Sequence, residues 1–237
     1  MKERPILFSA PMIRAILADK KSQTRRTIKM PASWDCFVCA DWGNGWWPYK
    51  SDDGENPSFD NNEIPLNCPY GTVSDHLIVK EAAWMWCERR PNGQTKTGRQ
   101  KWKYVPMREA PIHYAADHPT KPSIKVVSPD TGNEWGWRFK IGRFLPRWAS
   151  RIDLEVTGVR VEQLQDISYE DAIAEGIINP ATVPPFPHQS TETVEQFARR
   201  TNYPQRSYAA LWEEINGPGS WDANPWIWCV EFRRVTP

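Results

Sequence analysis

Two stretches constrain this chain most: "RIDLEVTGVRVEQL" at residues 151–164 and "NPWIWCVEFRRV" at 224–235. In the first, Ile152, Leu154 and Val156 alternate with polar residues, and Val159 and Val161 follow after a break at Gly158. In the second the apolar side chains also recur with period two. That period sends successive side chains to opposite faces of a sheet, so both stretches read as half-buried strands. Twenty-two prolines among 237 residues argue against an all-helical chain.

Helices are few and short in this reading. "PILFSAPMIRAIL" is a short strand followed by a helix, with Ser9 as N-cap, Pro11 in the first turn and Ile13, Ile16 and Leu17 on one face. "DISYEDAIAEGI" is a helix with Ser168 as N-cap, Asp171 three residues on and Gly176 as its stop. "SYAALWEEIN" is another, ending at Gly217, and "SQTRRTIK" and Leu77–Val79 are extended. Residues 31–67 and 88–135 carry little periodicity and read as insertions rich in loops, with a short strand at "IHYAA"; residues 178–192 read as proline-rich loop. The expected architecture is therefore mixed α+β and β-dominated: one domain, a small closed or nearly closed barrel with short peripheral helices and long loop insertions.

Composition sets bounds. A formal net charge of +1 excludes a uniformly basic surface but allows local patches. No stretch is long and apolar enough to span a membrane, and "MKERPILFSAP" has no export signature. With five cysteines, an odd number, this points to a reducing compartment, the cytoplasm, without structural disulfides. Cys36-x-x-Cys39 has the spacing of half a zinc site, which Cys68 and then Cys87 or His76 would complete; free buried thiols are the alternative.

Two basic groups interleave with aromatics. Arg89, Arg90, Lys96, Arg99, Lys101 and Lys103 lie beside Trp102 and Tyr104, and Arg143, Arg147 and Arg151 flank Trp148. The pattern suits phosphate contact with base stacking, against the plainer reading of a solvated surface.

Two polar positions break local rules. "DKKSQTRR", residues 19–26, clusters cations and hydroxyls where a strand should begin, and Glu175 puts a carboxylate at the unfavourable end of a helix dipole. In an extended chain Thr24 and Arg26 share a face.

"DKKSQTRR" resembles the Gly-x-Lys-x-x-Glu-x-Arg signature of ASCH domains, small PUA-like β-barrels. Lys21 and Arg26 match, Asp19 stands at the glycine and Thr24 at the glutamate. Threonine there is what ASCH amidohydrolases acting on N4-acetylcytidine carry, and "LQDISYEDAIAE" resembles the stretch leading to their glutamate. "RPILFSAPMIRAIL", "CPYG", "LPRWASRIDLEVTGVRVEQLQDISYEDAIAEGI" and "NPWIWCVEF" also resemble an ASCH group encoded by phages and prophages. The resemblance implies a catalytic set of Lys21, Thr24 and Glu175, with Arg26, Arg147, Trp148 and Arg151 as substrate contacts and no cofactor. It implies hydrolysis of the N4-acyl group of a modified cytidine or related nucleoside. Either Lys21 activates Thr24 as nucleophile, or Thr24 positions a water. The other roles open to such a chain are a non-catalytic reader of RNA, DNA or a modified base, a ribonuclease, or a phage factor that binds a host protein.

Overall fold

The computed structural model describes residues 1–33, 36–41, 45–51, 54–55, 66–123, 125–127, 134–177, 196 and 202–235. The strand–helix–strand opening forms where the sequence reads it: β1 (Glu3–Leu7), α1 (Ala10–Leu17) and β2 (Gln23–Thr27). Ser9 starts α1 through its carbonyl, which accepts the Ile13 N–H at 2.9 Å. Then follow β3 (Cys36–Asp41), β4 (Trp46–Ser51), β5 (His76–Lys80), β6 (Ala83–Gln94), β7 (Gln100–Pro106), β8 (Ile112–Tyr114), β9 (Lys125–Val127) and β10 (Glu134–Lys140). The chain closes with β11 (Asp153–Gln163), α2 (Tyr169–Ala174), α3 (Tyr203–Asn216) and β12 (Trp226–Val235). Among the described residues the fold is mixed α+β and dominated by strands, and no sheet closes into a barrel. No helix among them is long and apolar enough to cross a membrane.

The chain divides into two compact units. The first gathers Met1–Arg4, Ala15–His76 and Leu154–Val235; the second gathers Pro5–Arg14 and Leu77–Asp153.

In the first unit β11, β12 and β2 are neighbours in that order. β2 pairs antiparallel with β12, with Thr24 opposite Val230, Arg25 opposite Cys229 and Arg26 opposite Trp228. The β12 face bearing Ile227 and Cys229 packs with Leu164, Ala172, Tyr208 and Trp212 in one buried cluster. Burial of each large apolar side chain contributes about 1.5–3 kcal/mol. β11 runs unbroken through Gly158, where the sequence suggests a break. Gly158 faces the flexible end of the Glu231 side chain, whose Oε2 would lie 2.7 Å from a Cβ there. Residues 36–51, read from sequence as irregular, hold the antiparallel hairpin β3–β4.

In the second unit β1 and β5 are neighbours, and a sheet runs β7-β6-β10-β9 with β8 also paired to β6. The region read from sequence as basic loop is thus a long ribbon, with Arg89 opposite Tyr104, Arg90 opposite Lys103 and Pro91 opposite Trp102. Polar residues on both faces hide it from a pattern search, because alternation marks a strand only where one face is buried. The stretch read as loop over 117–137 also contributes β9 and the start of β10; β9 is only three residues long, too short for alternation to mark. The proline-rich stretch lies outside the described residues.

Candidate active site

The site is built on the exit from α2. Ser168 Oγ accepts the Asp171 N–H at 3.0 Å and sets the helix start. The helix stops at Gly176, whose φ of +94° favours glycine. Space there is also short: a Cβ on Gly176 would lie 3.2 Å from Ala15 Cβ and 3.3 Å from Lys21 Cβ. The stop therefore seats Glu175 beside Lys21. Backbone bonds from Ser22 N to the Ala174 carbonyl, 2.9 Å, and from Phe232 N to the Ser22 carbonyl, 2.8 Å, fix the other side.

Asp19 takes a φ of +53°, a left-handed conformation that glycine adopts freely and aspartate tolerates. This is the position where the resembled signature has glycine. The turn it makes delivers Lys21 to the end of α2.

Lys21 Nζ donates to Glu175 Oε2 at 2.6 Å and to the Glu175 carbonyl at 2.8 Å. The two side chains are 0% and 2% exposed. Glu175 Oε1 accepts from Arg25 Nη1 at 3.3 Å. Arg25 in turn donates from Nε to Glu162 Oε1 at 2.9 Å, and its Nη2 lies 3.1 Å from Asp171 Oδ2. Arg160 extends the network to Glu162, Asp171 and Glu231. Gln23 Nε2 donates to the Asp171 carbonyl at 2.7 Å, so β2 grips α2 through three side chains: Lys21 just before it, Gln23 and Arg25.

Burial lowers the Lys21 pKa below its ordinary value of 10.5. Glu175 works in the opposite direction, Arg26 and Arg25 assist the lowering, and burial wins. Two other polar groups beside the pair are held neutral. Burial pushes the Cys229 thiol up to about 12, and burial with the Glu175 charge also raises Tyr208. Neither is poised as a nucleophile at neutral pH. The site is thus a desolvated lysine clamped to a carboxylate that a guanidinium also holds.

Of the expected catalytic set, Lys21 and Glu175 meet. Thr24 is buried on β2, one residue out of phase with Gln23 and Arg25. Alternation turns it to the opposite face with Arg26, Val230 and Trp228. Among the described hydrogen bonds, none joins its hydroxyl to Lys21 or Glu175. Arg26 carries a buried Nε.

The other expected substrate contacts belong to the second unit, where each has a partner in the fold. Arg151 donates to both oxygens of Glu81, at 2.8 and 3.1 Å, and to Asp117 at 2.5 Å, and stacks 4.0 Å over the Tyr114 ring. Arg147 reaches Asp153 at 3.5 Å. Trp148 packs against the buried cluster of Ala83, Met85, Cys87, Leu145 and Ala149.

The cysteines are free thiols. Cys36 and Cys39 are three apart on β3, so alternation sends them to opposite faces. Cys36 Sγ bonds the Ser51 carbonyl at 2.9 Å. Burial pushes Cys39 up to about 12 and Cys68 up to about 11. No three His, Cys, Asp or Glu side chains among the described residues are grouped to hold a metal ion. The expected zinc ligand set of Cys36, Cys39 and Cys68 therefore does not assemble there, because strand geometry separates the first two.

Sequence reasoning missed the carboxylates that complete the network, Glu162 and Asp171. Arg25 was visible only as a neighbouring cation. The one local signal was Asp171 in the first turn of α2, which capping alone explains. No family model, curated protein or solved structure matches the chain.

Proposed function

We propose that the first unit is an amidohydrolase centre of the ASCH type, removing the N4-acyl group from a modified cytidine or related nucleoside. One observation carries the reading: a fully desolvated Lys21 meets Glu175 at 2.6 Å across 154 residues of sequence. A PUA-like core, with β2, β11 and β12 among its strands, belongs to the same proposal.

The chemistry follows from the direction of the lysine shift. A lysine acts as a base only when neutral, and burial favours that form. In the proposed reaction water attacks the acyl carbonyl while Lys21 takes its proton. The C–N bond breaks, the proton passes to the departing N4 amine, and the products are the carboxylic acid and cytidine. Glu175 orients Lys21 and balances its charge when protonated. The water route suits this geometry better than attack by Thr24, whose hydroxyl has no described hydrogen bond to the base.

The test is product analysis with N4-acetylcytidine and longer N4-acyl cytidines. Lys21→Ala and Glu175→Gln should each lower turnover by about 100-fold or more, the usual effect of removing a general base or its orienting group. Thr24→Ala should retain part of the activity under the water route. No release of cytidine from any of these substrates by the intact chain would end the proposal.

A second reading has a specific observation behind it. Arg25 and Lys21 together satisfy both oxygens of Glu175, an arrangement that also suits a rigid binding module. Equilibrium binding of the acylated nucleoside without turnover would select it.

A further inference from the structure

The second unit carries a feature that the Lys21–Glu175 centre does not use. Cross-strand pairing places Trp86 opposite Trp137 and Trp84 opposite Phe139, and β6 residue Glu88 opposite Trp135. Directly opposed residues share a face, so Trp84, Trp86, Trp135, Trp137 and Phe139 stand on one side of the β6–β10 sheet. Their rings touch: Trp86 and Trp137 centroids are 5.4 Å apart, and Trp84 and Phe139 are 5.0 Å apart. His113 closes on Trp137 at 4.4 Å. The buried cluster of Ala83, Met85 and Cys87 lies on the opposite side, set by the alternation of β6.

Trp137 is buried beneath its neighbours at 7% exposure, Trp84, Trp86 and Trp135 are half-buried, and the face is open at its far edges. Phe139 is 46% exposed, and Val126, opposite Trp135 on β9, is 45% exposed. Along β6 the same face runs from the rings to Arg90 and its partner Lys103, and along β7 to Lys101. Arg90 is paired with Glu88 at 2.6 Å; Lys101 and Lys103 are exposed. Residues 88–104 contain six cations, with Glu88 as their single carboxylate. Trp84 to Arg90 spans six residues of strand, roughly 20 Å.

A row of rings leading into a cationic track suits one kind of occupant: a chain of flat rings joined by negative charges. Bases stack on the rings irrespective of sequence, and phosphates pair with the ammonium groups. We infer that the Trp84–Trp86–Phe139 face, backed by the buried Trp137, binds single-stranded nucleic acid together with the β6–β7 ribbon. The two arms of the surface bind different parts of the ligand. A duplex hides its base faces, and an acidic polypeptide offers charge without rings.

The test uses the full chain and a fluorescein-labelled mixed-sequence single-stranded RNA of about 12 nucleotides, within the usual span of such sites. Anisotropy should show binding that weakens with salt. Lys101→Glu with Lys103→Glu should weaken it about 10-fold or more and reduce the log–log salt slope by about 1.4, from two single-strand phosphate contacts. Phe139→Ala should weaken it about 5-fold or more with the salt slope unchanged. Trp102→Ala, on the other face of the ribbon beneath Arg89, should leave binding as it is. All variants are checked by circular dichroism; for one that fails to fold, Phe139→Leu or Lys103→Gln replaces it. Absence of binding at low salt would overturn the inference. So would equal affinity for the matching duplex or for polyglutamate, or a Trp102→Ala loss as large as that of Phe139→Ala.

Discussion

Two buried carboxylates, one in each unit, show how similar ion clusters acquire different chemistry. Glu81 is held by Nε and Nη2 of Arg151, and Asp117 accepts from its Nη1. Glu175 is held by Lys21 on one oxygen and Arg25 on the other. In the Glu81 cluster burial opposes the Arg151 charge, but hydrogen bonds and the charges of Glu81 and Asp117 outweigh it and the guanidinium pKa rises. In the Glu175 cluster burial outweighs the carboxylate and the lysine pKa falls. The first arrangement fixes a charge permanently. The second leaves a charge that can be removed, and a removable proton is what catalysis needs.

The comparison is broken most severely by Glu175→Gln, which leaves Lys21 buried with its counter-charge gone. Loss of one partner from a buried pair should destabilise the chain by about 3–5 kcal/mol, read by urea unfolding. Lys21→Met in the same background should recover part of that loss, because the orphaned ammonium is gone. Arg151→Lys should cost less, about 1–2 kcal/mol. It loses a two-pronged grip on Glu81 and the reach to Asp117, and Arg151 is already 26% exposed.

A smaller effect sharpens the contrast through pH. Because the folded Lys21 pKa lies below the unfolded one, the unfolded chain binds more protons between those two values. Stability should therefore rise with pH from the lowered folded pKa towards 10.5, and the rise should be absent in Lys21→Met. Arg151→Met should leave this slope untouched. The smallest effect is that of Ser168→Ala, which removes the cap on α2 at about 1 kcal/mol. If turnover falls further than stability predicts, the cap positions Glu175 as well as starting the helix.

The parts of this molecule legible in its sequence are those where local rules act alone. Ser168, Asp171 and Gly176 bound α2 as capping chemistry requires, and the alternation of β11 marks a strand with one buried face. β12 is a strand as read, but it lies between two neighbours inside the sheet, and its Ile227–Val230 are buried on both faces. The meeting of Lys21 with Glu175 was approached only through two misplaced charges and a resemblance. Nothing local in "VRVEQ" says that Glu162 reaches Arg25, 137 residues away. The outer part of the β6–β7 ribbon, from Arg89 to Lys103, escaped because it is wet on both sides. Thr24 was grouped with Lys21 by the resemblance alone, and strand parity turns it to the face of Arg26, as an extended chain requires, away from Gln23 and Arg25.

Glu175 grips the ammonium of residue 21 twice, with its side chain and with its own peptide oxygen. Unwinding α2 by one residue would break both grips together, and losing either loosens the other. Lysine ionisation and the last turn of that helix are thus thermodynamically tied: whatever tugs on residues beyond 176 also sets how readily the amine accepts a proton.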